Sequence, residues 1–302
     1  MSSRTPAIET AGLSKTYGGE VQALVDVDLR VEQGEVFGFL GPNGAGKSTL
    51  IRILLDLIRP SAGRAALLGQ DTRGNGGPAR RSVGYLPGDL RLWPRATGRG
   101  QLASLSALRG GGHEREIAAL ADRLGAQLDR PVRDLSKSNR QKIGLIQAFM
   151  HRPSLAVLDE PTSGLDPLVQ ETFRSLVREA TAEGCTVFLS SHSLDEVQHV
   201  AGRVGIIRAG RLVAVESVET LLARSVRHMR LTFAGAVDAA EFAGLPGVQS
   251  AEGDGAIVRL SVRGSADAVV KHAARHEVLD VVSEPADLEE IFLSYYQEDG
   301  RA

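Results

Sequence analysis

The chain has 302 residues, 42% apolar and 24% charged, with a formal net charge of −2: the composition of an ordinary globular protein, long enough for one large domain and a smaller one. Its basic residues are scattered, which leaves no nucleic-acid footprint and no nucleic-acid partner expected, and its only cysteine, Cys185, excludes an internal disulfide and agrees with a reducing cytosol. Met1 to Pro6 lead into no signal-peptide core and no apolar run is long enough to span a bilayer, so any membrane role is expected through a partner.

Ile8 to Leu13 and Leu24 to Val31 alternate as two strands of an antiparallel sheet. Between them, Ser14 to Gly19 reads as a turn carrying one exposed aromatic, Tyr17. Glu35 to Leu40 is apolar and β-prone, and Leu50 to Leu57 is apolar and helix-prone. The stretch between them, Gly41-Pro42-Asn43-Gly44-Ala45-Gly46-Lys47-Ser48-Thr49, fits G-x-x-x-x-G-K-[ST] in the strand, loop, helix context that this motif requires. Glycines let the backbone N–H groups turn inward as an anion nest, and the helix N-terminus adds a favourable dipole. A nucleoside triphosphate site follows, with Lys47 reaching the β- and γ-phosphates and the Ser48 hydroxyl on Mg²⁺.

Pro60 to Gly63 breaks the chain, Ala65 to Leu68 is a strand, Asp71 to Pro78 a surface loop, and Val83 to Pro87 a short strand stopped by proline. Residues 97–152 read as helical: Leu102, Leu105 and Leu108, then Ile117, Leu120 and Leu124, recur at helical spacing. Gly110 to Gly112 separate two helices, and a third runs from Ser136 to about His151. Ser154 to Glu160 is a buried strand ending on two carboxylates. One carboxylate to hold a metal shell and another group to position the attacking water are what hydrolysis of Mg²⁺·ATP needs. A surface or helix-capping Asp-Glu pair is the alternative. Pro167 to Ala182 is a helix and Thr186 to Ser190 a strand, and Val204 to Ile207 with Leu212 to Val215 forms a hairpin about Ala209-Gly210.

After about Glu216 the pattern restarts. Met229 to Phe233 is strand, Ala236 to Ala243 helix, Val248 to Ala251 and Ile257 to Val262 strands. Ser265 to His276 is helix, Val278 to Val282 strand and Pro285 to Tyr296 helix. That order predicts a ferredoxin-like α+β domain over 217–302. Its core would be Leu231, Phe233, Val258, Leu260, Val281, Ile291 and Phe292.

Three further pieces stand in order with the phosphate loop: Leu135-Ser136-Lys137-Ser138-Asn139 at a helix start, Leu158-Asp159-Glu160-Pro161-Thr162-Ser163-Gly164-Leu165-Asp166, and Ser190-Ser191-His192. Together they closely resemble the ATP-binding subunits of ABC (ATP-binding-cassette) transporters, over about residues 7 to 216. The resemblance implies an α/β P-loop NTPase core with an antiparallel β subdomain and a helical subdomain, within 1–216. It implies ATP and Mg²⁺ as cofactors, Tyr17 as the aromatic on the adenine ring, Asp159 as the Mg²⁺-shell carboxylate, Glu160 as the base for the attacking water, and His192 at the γ-phosphate. It implies that Asp166 communicates between two sites. Each site would be completed by Leu135 to Asn139 of a second copy paired head to tail, with a multi-span membrane permease as the further partner. The chain would then lie at the cytoplasmic face of the membrane. Asp287 to Tyr296 resembles the C-terminal extension of ATP-binding subunits from bacterial drug and antibiotic exporters; an amphipathic helix closing the small domain through Leu288, Ile291, Phe292 and Tyr295 fits the same residues.

Two departures from the family pattern stand out. The usual glutamine after Tyr85-Leu86-Pro87 is Gly88, followed by Asp89, so Asp89 or a water is expected to take its place at the metal. The usual L-S-G-G-Q is L-S-K-S-N, and Ser138 either meets the γ-phosphate of the opposing copy or caps its helix. Other users of such cassettes fit less well. Soluble ATPases of this type acting on ribosomes usually carry two cassettes in one chain, and chromosome-maintenance ATPases insert a long coiled coil that the gap from Thr49 to Leu135 does not accommodate.

Overall fold

A computed structural model describes residues 5–73, 77–224 and 226–284. In chain order, β1 (Ile8–Tyr17) and β2 (Val21–Val31) pair antiparallel, and β3 (Val36–Leu40) leads through the glycine loop into α1 (Lys47–Leu54). There follow β4 (Ala62–Leu67), β5 (Gln70–Asp71), α2 (Gly77–Arg81) and β6 (Val83–Leu86). Three helices come next, α3 (Gly98–Leu108), α4 (Glu114–Leu124) and α5 (Lys137–Phe149). Then come β7 (Leu155–Asp159), α6 (Pro167–Ala182), β8 (Thr186–Ser191), α7 (Leu194–Gln198), β9 (Arg203–Arg208), β10 (Arg211–Ser217) and α8 (Val218–Arg224). Contacts divide the chain between Val215 and Glu216 into two compact units.

The first unit has two sheets. One runs β2-β1-β4-β5; the other runs β10-β9-β3-β8-β7-β6, with β9, β3, β8, β7 and β6 parallel. β3, β7 and β8 are buried at every position, which is why they read as continuous apolar runs rather than alternating ones. Phe37 stacks on Phe188 at 6.0 Å between ring centres, and Phe39 packs on the same ring at 5.4 Å. Ile8, Leu13, Val27, Leu50 and Ile51 join them, so one core lies beneath both sheets and α1. Because β8 lies between β3 and β7, the glycine loop and the Asp159-Glu160 end emerge at the same carboxyl edge of the parallel strands, the usual ligand edge of such sheets.

Three local expectations are corrected. Ser14 to Tyr17 is strand, not turn: Thr16 and Tyr17 pair with Gln22 and Val21, and the reversal falls at Gly18 and Gly19, both at positive φ. Bulges after Thr10 and Leu13 break the alternation that would have revealed this. A short helix, α2, occupies the end of the stretch expected to be loop. Ser136, not Ser138, caps α5, its side chain accepting from Asn139 N at 3.1 Å, so the capping alternative for Ser138 falls. Elsewhere α6 has the expected bounds, with the Asp166 carboxylate capping it at Val169 N, and Leu108 is exposed at the end of α3.

The second unit contains β11 (Val226–Phe233), α9 (Ala240–Ala243), β12 (Val248–Asp254), β13 (Ile257–Arg263), α10 (Asp267–Ala273) and β14 (Val278–Glu284). Its sheet order is β12-β13-β11-β14 with every pair antiparallel, the arrangement of a ferredoxin-like β-α-β-β-α-β chain. α9 starts later than expected because Asp238 Oδ1 accepts from Ala240 N at 2.9 Å and turns the chain first. Leu231, Phe233, Val258 and Leu260 form its core with Phe242 and Val269. Val281, expected there, is 49% exposed: it pairs with Leu231 from β14, which among the described residues has a neighbouring strand on one side only. The expected final helix, with Leu288, Ile291, Phe292 and Tyr295, lies outside the described residues.

Candidate nucleotide site

After Leu40 the chain must reverse into α1 within a few residues. A Cβ at Gly41 would lie 2.6 Å from the Ile207 carbonyl oxygen. Gly46 has φ +111°, and a Cβ there would lie 2.5 Å from the Ala23 oxygen. Only glycine meets both demands. Gly210, at the tip of the β9–β10 hairpin, donates its N–H to Ala45 O at 3.0 Å and braces the loop. Lys47 is only 6% exposed, and its Nζ donates to the Gly41 carbonyl at 2.6 Å and the Pro42 carbonyl at 3.3 Å. The ammonium is thus folded over the loop at the start of α1, where unpaired N–H groups favour an anion.

Asp159 ends β7, 4% exposed, and its Oδ1 accepts from Ser190 Oγ at 2.5 Å. Neighbouring side chains on a strand point to opposite faces. Glu160 escapes this because its φ is +52°, and its N–H is held by Ser190 Oγ at 3.1 Å and Ser190 O at 3.2 Å. Both carboxylates therefore face one cleft of about 680 Å³, lined also by Gly44, Gly46 to Thr49, Tyr85 and Gly88. Burial first, and then the Asp159 carboxylate, raise the Tyr85 phenol above its usual pKa. Glu160 Oε2 lies 2.8 Å from His192 Nδ1. Its Oε1 is buried 3.3 Å from Lys47 Nζ, an ion-pair distance, yet at an angle that makes no hydrogen bond. That oxygen is an acceptor with no donor among the described residues.

The sequence profile of the ABC transporter family matches residues 24–163. The daunorubicin/doxorubicin resistance ATP-binding protein DrrA of Streptomyces peucetius is 37% identical over 75% of this chain and 71% of its own length. The bacitracin transport ATP-binding protein BcrA of Bacillus licheniformis is 32% identical over 74% of this chain and 73% of its own. Among solved structures, an ATP-binding subunit of an ABC transporter superposes with a TM-score of 0.65 at 28% identity, covering 71% of this chain and 91% of that one. This chain belongs to the ABC transporter ATP-binding family. It is an ATPase of the kind that powers transport.

Within this ABC cassette the structure brings Lys47, Ser48, Asp159, Glu160 and His192 together and leaves other expected residues apart. Tyr17 is not part of the cleft lining; it stands at the end of β1 with Lys15 Nζ 5.0 Å from its ring centre. Asp89 lines the cleft, but its carboxylate is 70% exposed and is held by Arg91 at 2.9 Å. Ser136 and Lys137 are exposed outside the chain's own cleft, and Lys137 Nζ reaches Ser163 Oγ at 3.2 Å. The Asn139 side chain is turned inward, bonded to both backbone groups of Gln127 at 2.7 and 2.8 Å, and its N–H is donated to Ser136 Oγ at 3.1 Å. Two residues have roles that the sequence does not assign. Ser190 holds both Asp159 and Glu160, and its position just before Ser191-His192 was the available signal. Gln141 donates to the carbonyls of Glu160 at 3.3 Å and Pro161 at 3.0 Å, tying α5 to the carboxylate end of β7.

Mg²⁺ is tested by the donor set. Ser48 and Asp159 both line the cleft, and Asp159 Oδ2 faces Gly88, where a Cβ would lie 3.1 Å away. A hydroxyl and a carboxylate oxygen, with no sulfur or imidazole between them, fit a hard cation that keeps most of its waters.

Proposed function

We propose that this ATPase drives export of drugs, antibiotics or other amphiphilic compounds through a multi-span membrane permease. Likeness to DrrA and BcrA across the cassette carries the substrate class. Among the described residues no helix is long and apolar enough to cross a membrane, so the path for the cargo belongs to the partner. The cassette would dock at the membrane's cytoplasmic face, where ATP is made available.

The nucleotide triphosphate lies along Gly41 to Thr49, with Lys47 moving from the loop carbonyls to the phosphates. Ser48 and Asp159 would hold Mg²⁺, which would supply charge neutralisation at the phosphate oxygens. Glu160 accepts a proton from the attacking water at Oε1, the oxygen with no hydrogen-bond donor among the described residues. His192 fixes the other carboxylate oxygen and sits beside the γ-phosphate. Two copies pair head to tail, so that the exposed Ser136 and Lys137, with Ser138, complete the opposite site, and Asp166 stands near the same seam. The unit after Val215 holds or gates the pair. The test is co-expression with a candidate multi-span permease, in vesicles loaded with an amphiphilic dye. ATP-dependent efflux that Lys47→Ala abolishes supports the reading; ATPase activity without movement of any amphiphile overturns the substrate class.

A further inference from the structure

The second unit gathers three metal-ligating side chains. His272 lies in the last turn of α10, and His276 follows in the turn that ends it, its N–H bonded to Ala273 O at 3.0 Å. Four residues apart, the two imidazoles fall on one side of the helix. Glu241 comes from α9. His272 Nε2 stands 3.4 Å from Glu241 Oε2, and His276 Nε2 stands 3.1 Å from the same oxygen. The three ligand atoms all lie within 4.8 Å of one another.

The two rings are not loose on the surface. His272 packs edge-on against Phe242 at 4.9 Å and His276 against Phe233 at 5.6 Å, and both phenylalanines belong to the domain's core. The imidazoles are therefore aimed before any ion arrives, which lowers the cost of ordering them. A tetrahedral Zn²⁺ with ligand distances of about 2.0–2.1 Å keeps its ligand atoms about 3.4 Å apart. The spacings to Glu241 fall within a few tenths of an ångström of that value.

We propose that Glu241, His272 and His276 bind one borderline transition-metal ion, Zn²⁺ in the first instance, with water in the fourth position. The ion clamps the short helix α9 to the end of α10. Nitrogen donors select against Mg²⁺, which takes oxygen ligands, so the Mg²⁺ that accompanies ATP does not compete. Because the clamp joins positions 31 residues apart, it stabilises the folded domain by closing that loop and by mass action. A carboxylate that simply accepts two imidazole hydrogen bonds gives the same distances, and that alternative predicts no metal uptake.

The full-length chain, stripped with a chelator and returned to millimolar Mg²⁺, is titrated with zinc chloride in competition with a chromogenic chelator. The expected result is one equivalent bound, weakened at least about a hundredfold in the double variant His272→Gln/His276→Gln. The melting temperature should rise with zinc in the parent chain and stay constant in the variant. Should the double variant fail to fold by circular dichroism, Glu241→Gln, which keeps the side chain's shape, should weaken binding about tenfold. No zinc uptake by the parent chain, or equal uptake by the folded variants, overturns the proposal.

Discussion

Replacing Gly88 measures how tightly the cleft is built around Asp159. A Cβ at Gly88 would lie 3.1 Å from Asp159 Oδ2 and 3.2 Å from its Cγ. Carbon contacts normally stand at about 3.5 Å or more, so one side must yield by a few tenths of an ångström. Asp159 has little room, being 4% exposed and held by Ser190 Oγ at 2.5 Å. Gly88 and Asp89 are exposed, so their loop takes most of the shift. Crowding then costs about 1 kcal/mol, the low end for overpacking. Felt wholly in the transition state, that is about fivefold in turnover. Gly88→Ala reads this crowding alone, whereas Gly88→Gln adds the amide that resembles the family's usual side chain and should recover part of the loss. Asp89→Ala should stay within about twofold of the parent, because its carboxylate faces Arg91. Steady-state ATPase rates at saturating Mg²⁺·ATP compare the three. Parent-like turnover in Gly88→Ala, together with a tenfold loss in Asp89→Ala, would refute the reasoning and return the metal-side role to Asp89.

Trp93 is 51% exposed, so it does not fill its own helical subdomain; Trp93→Ala should leave the thermal midpoint and ATPase rate of the isolated subunit unchanged while reducing coupled efflux with the permease. A chain ending at Ser217 keeps β10 whole and should bind ATP with parent affinity by equilibrium dialysis, while the protein-concentration dependence of its ATPase activity changes. Burial pushes the His151 imidazole down to about 4, and Arg109 adds to the effect. A group with a depressed folded pKa contributes stability that is full above its unfolded value near 6.5 and is lost as pH falls toward 4. With partial solvent access the loss is about 1–2 kcal/mol. Urea melts from pH 7 to pH 4 should show it, and His151→Gln should flatten that part of the profile.

The phosphate loop was legible because its glycines, its lysine and its apolar flanks each obey a separate physical demand. β7 and β8 were legible because strands buried on both faces are apolar throughout. What hid were features set by partners distant in sequence. Tyr17 reads as turn until Val21 pairs with it across two glycines. The joint action of Asp159 and Glu160 at the strand end is legible, but the left-handed backbone that turns Glu160 into the cleft is not. Ser190 stands in the Ser190-Ser191-His192 motif without a visible role, and Gln141 carries no motif; they matter because β8 and α5 bring a hydroxyl and an amide to the end of β7. Asn139 and Asp89 stand at plausible positions but are held by Gln127 and Arg91, which sequence spacing does not reveal. His272 and His276 share a visible spacing, whereas Glu241 joins them only through the fold.

Glu160→Gln tests the central claim most directly, since it keeps the shape and the contact surface while removing the proton acceptor beside Lys47 and His192. Loss of a general base costs about a hundredfold or more in turnover. The purified variant, incubated with Mg²⁺·ATP and run on gel filtration with light scattering, should elute as a dimer retaining one nucleotide per chain, while the parent chain returns to monomer as its ATP is consumed. A variant that stays monomeric with ATP, or that hydrolyses it at the parent rate, contradicts the assignment of Glu160 as the base of a site shared by two copies.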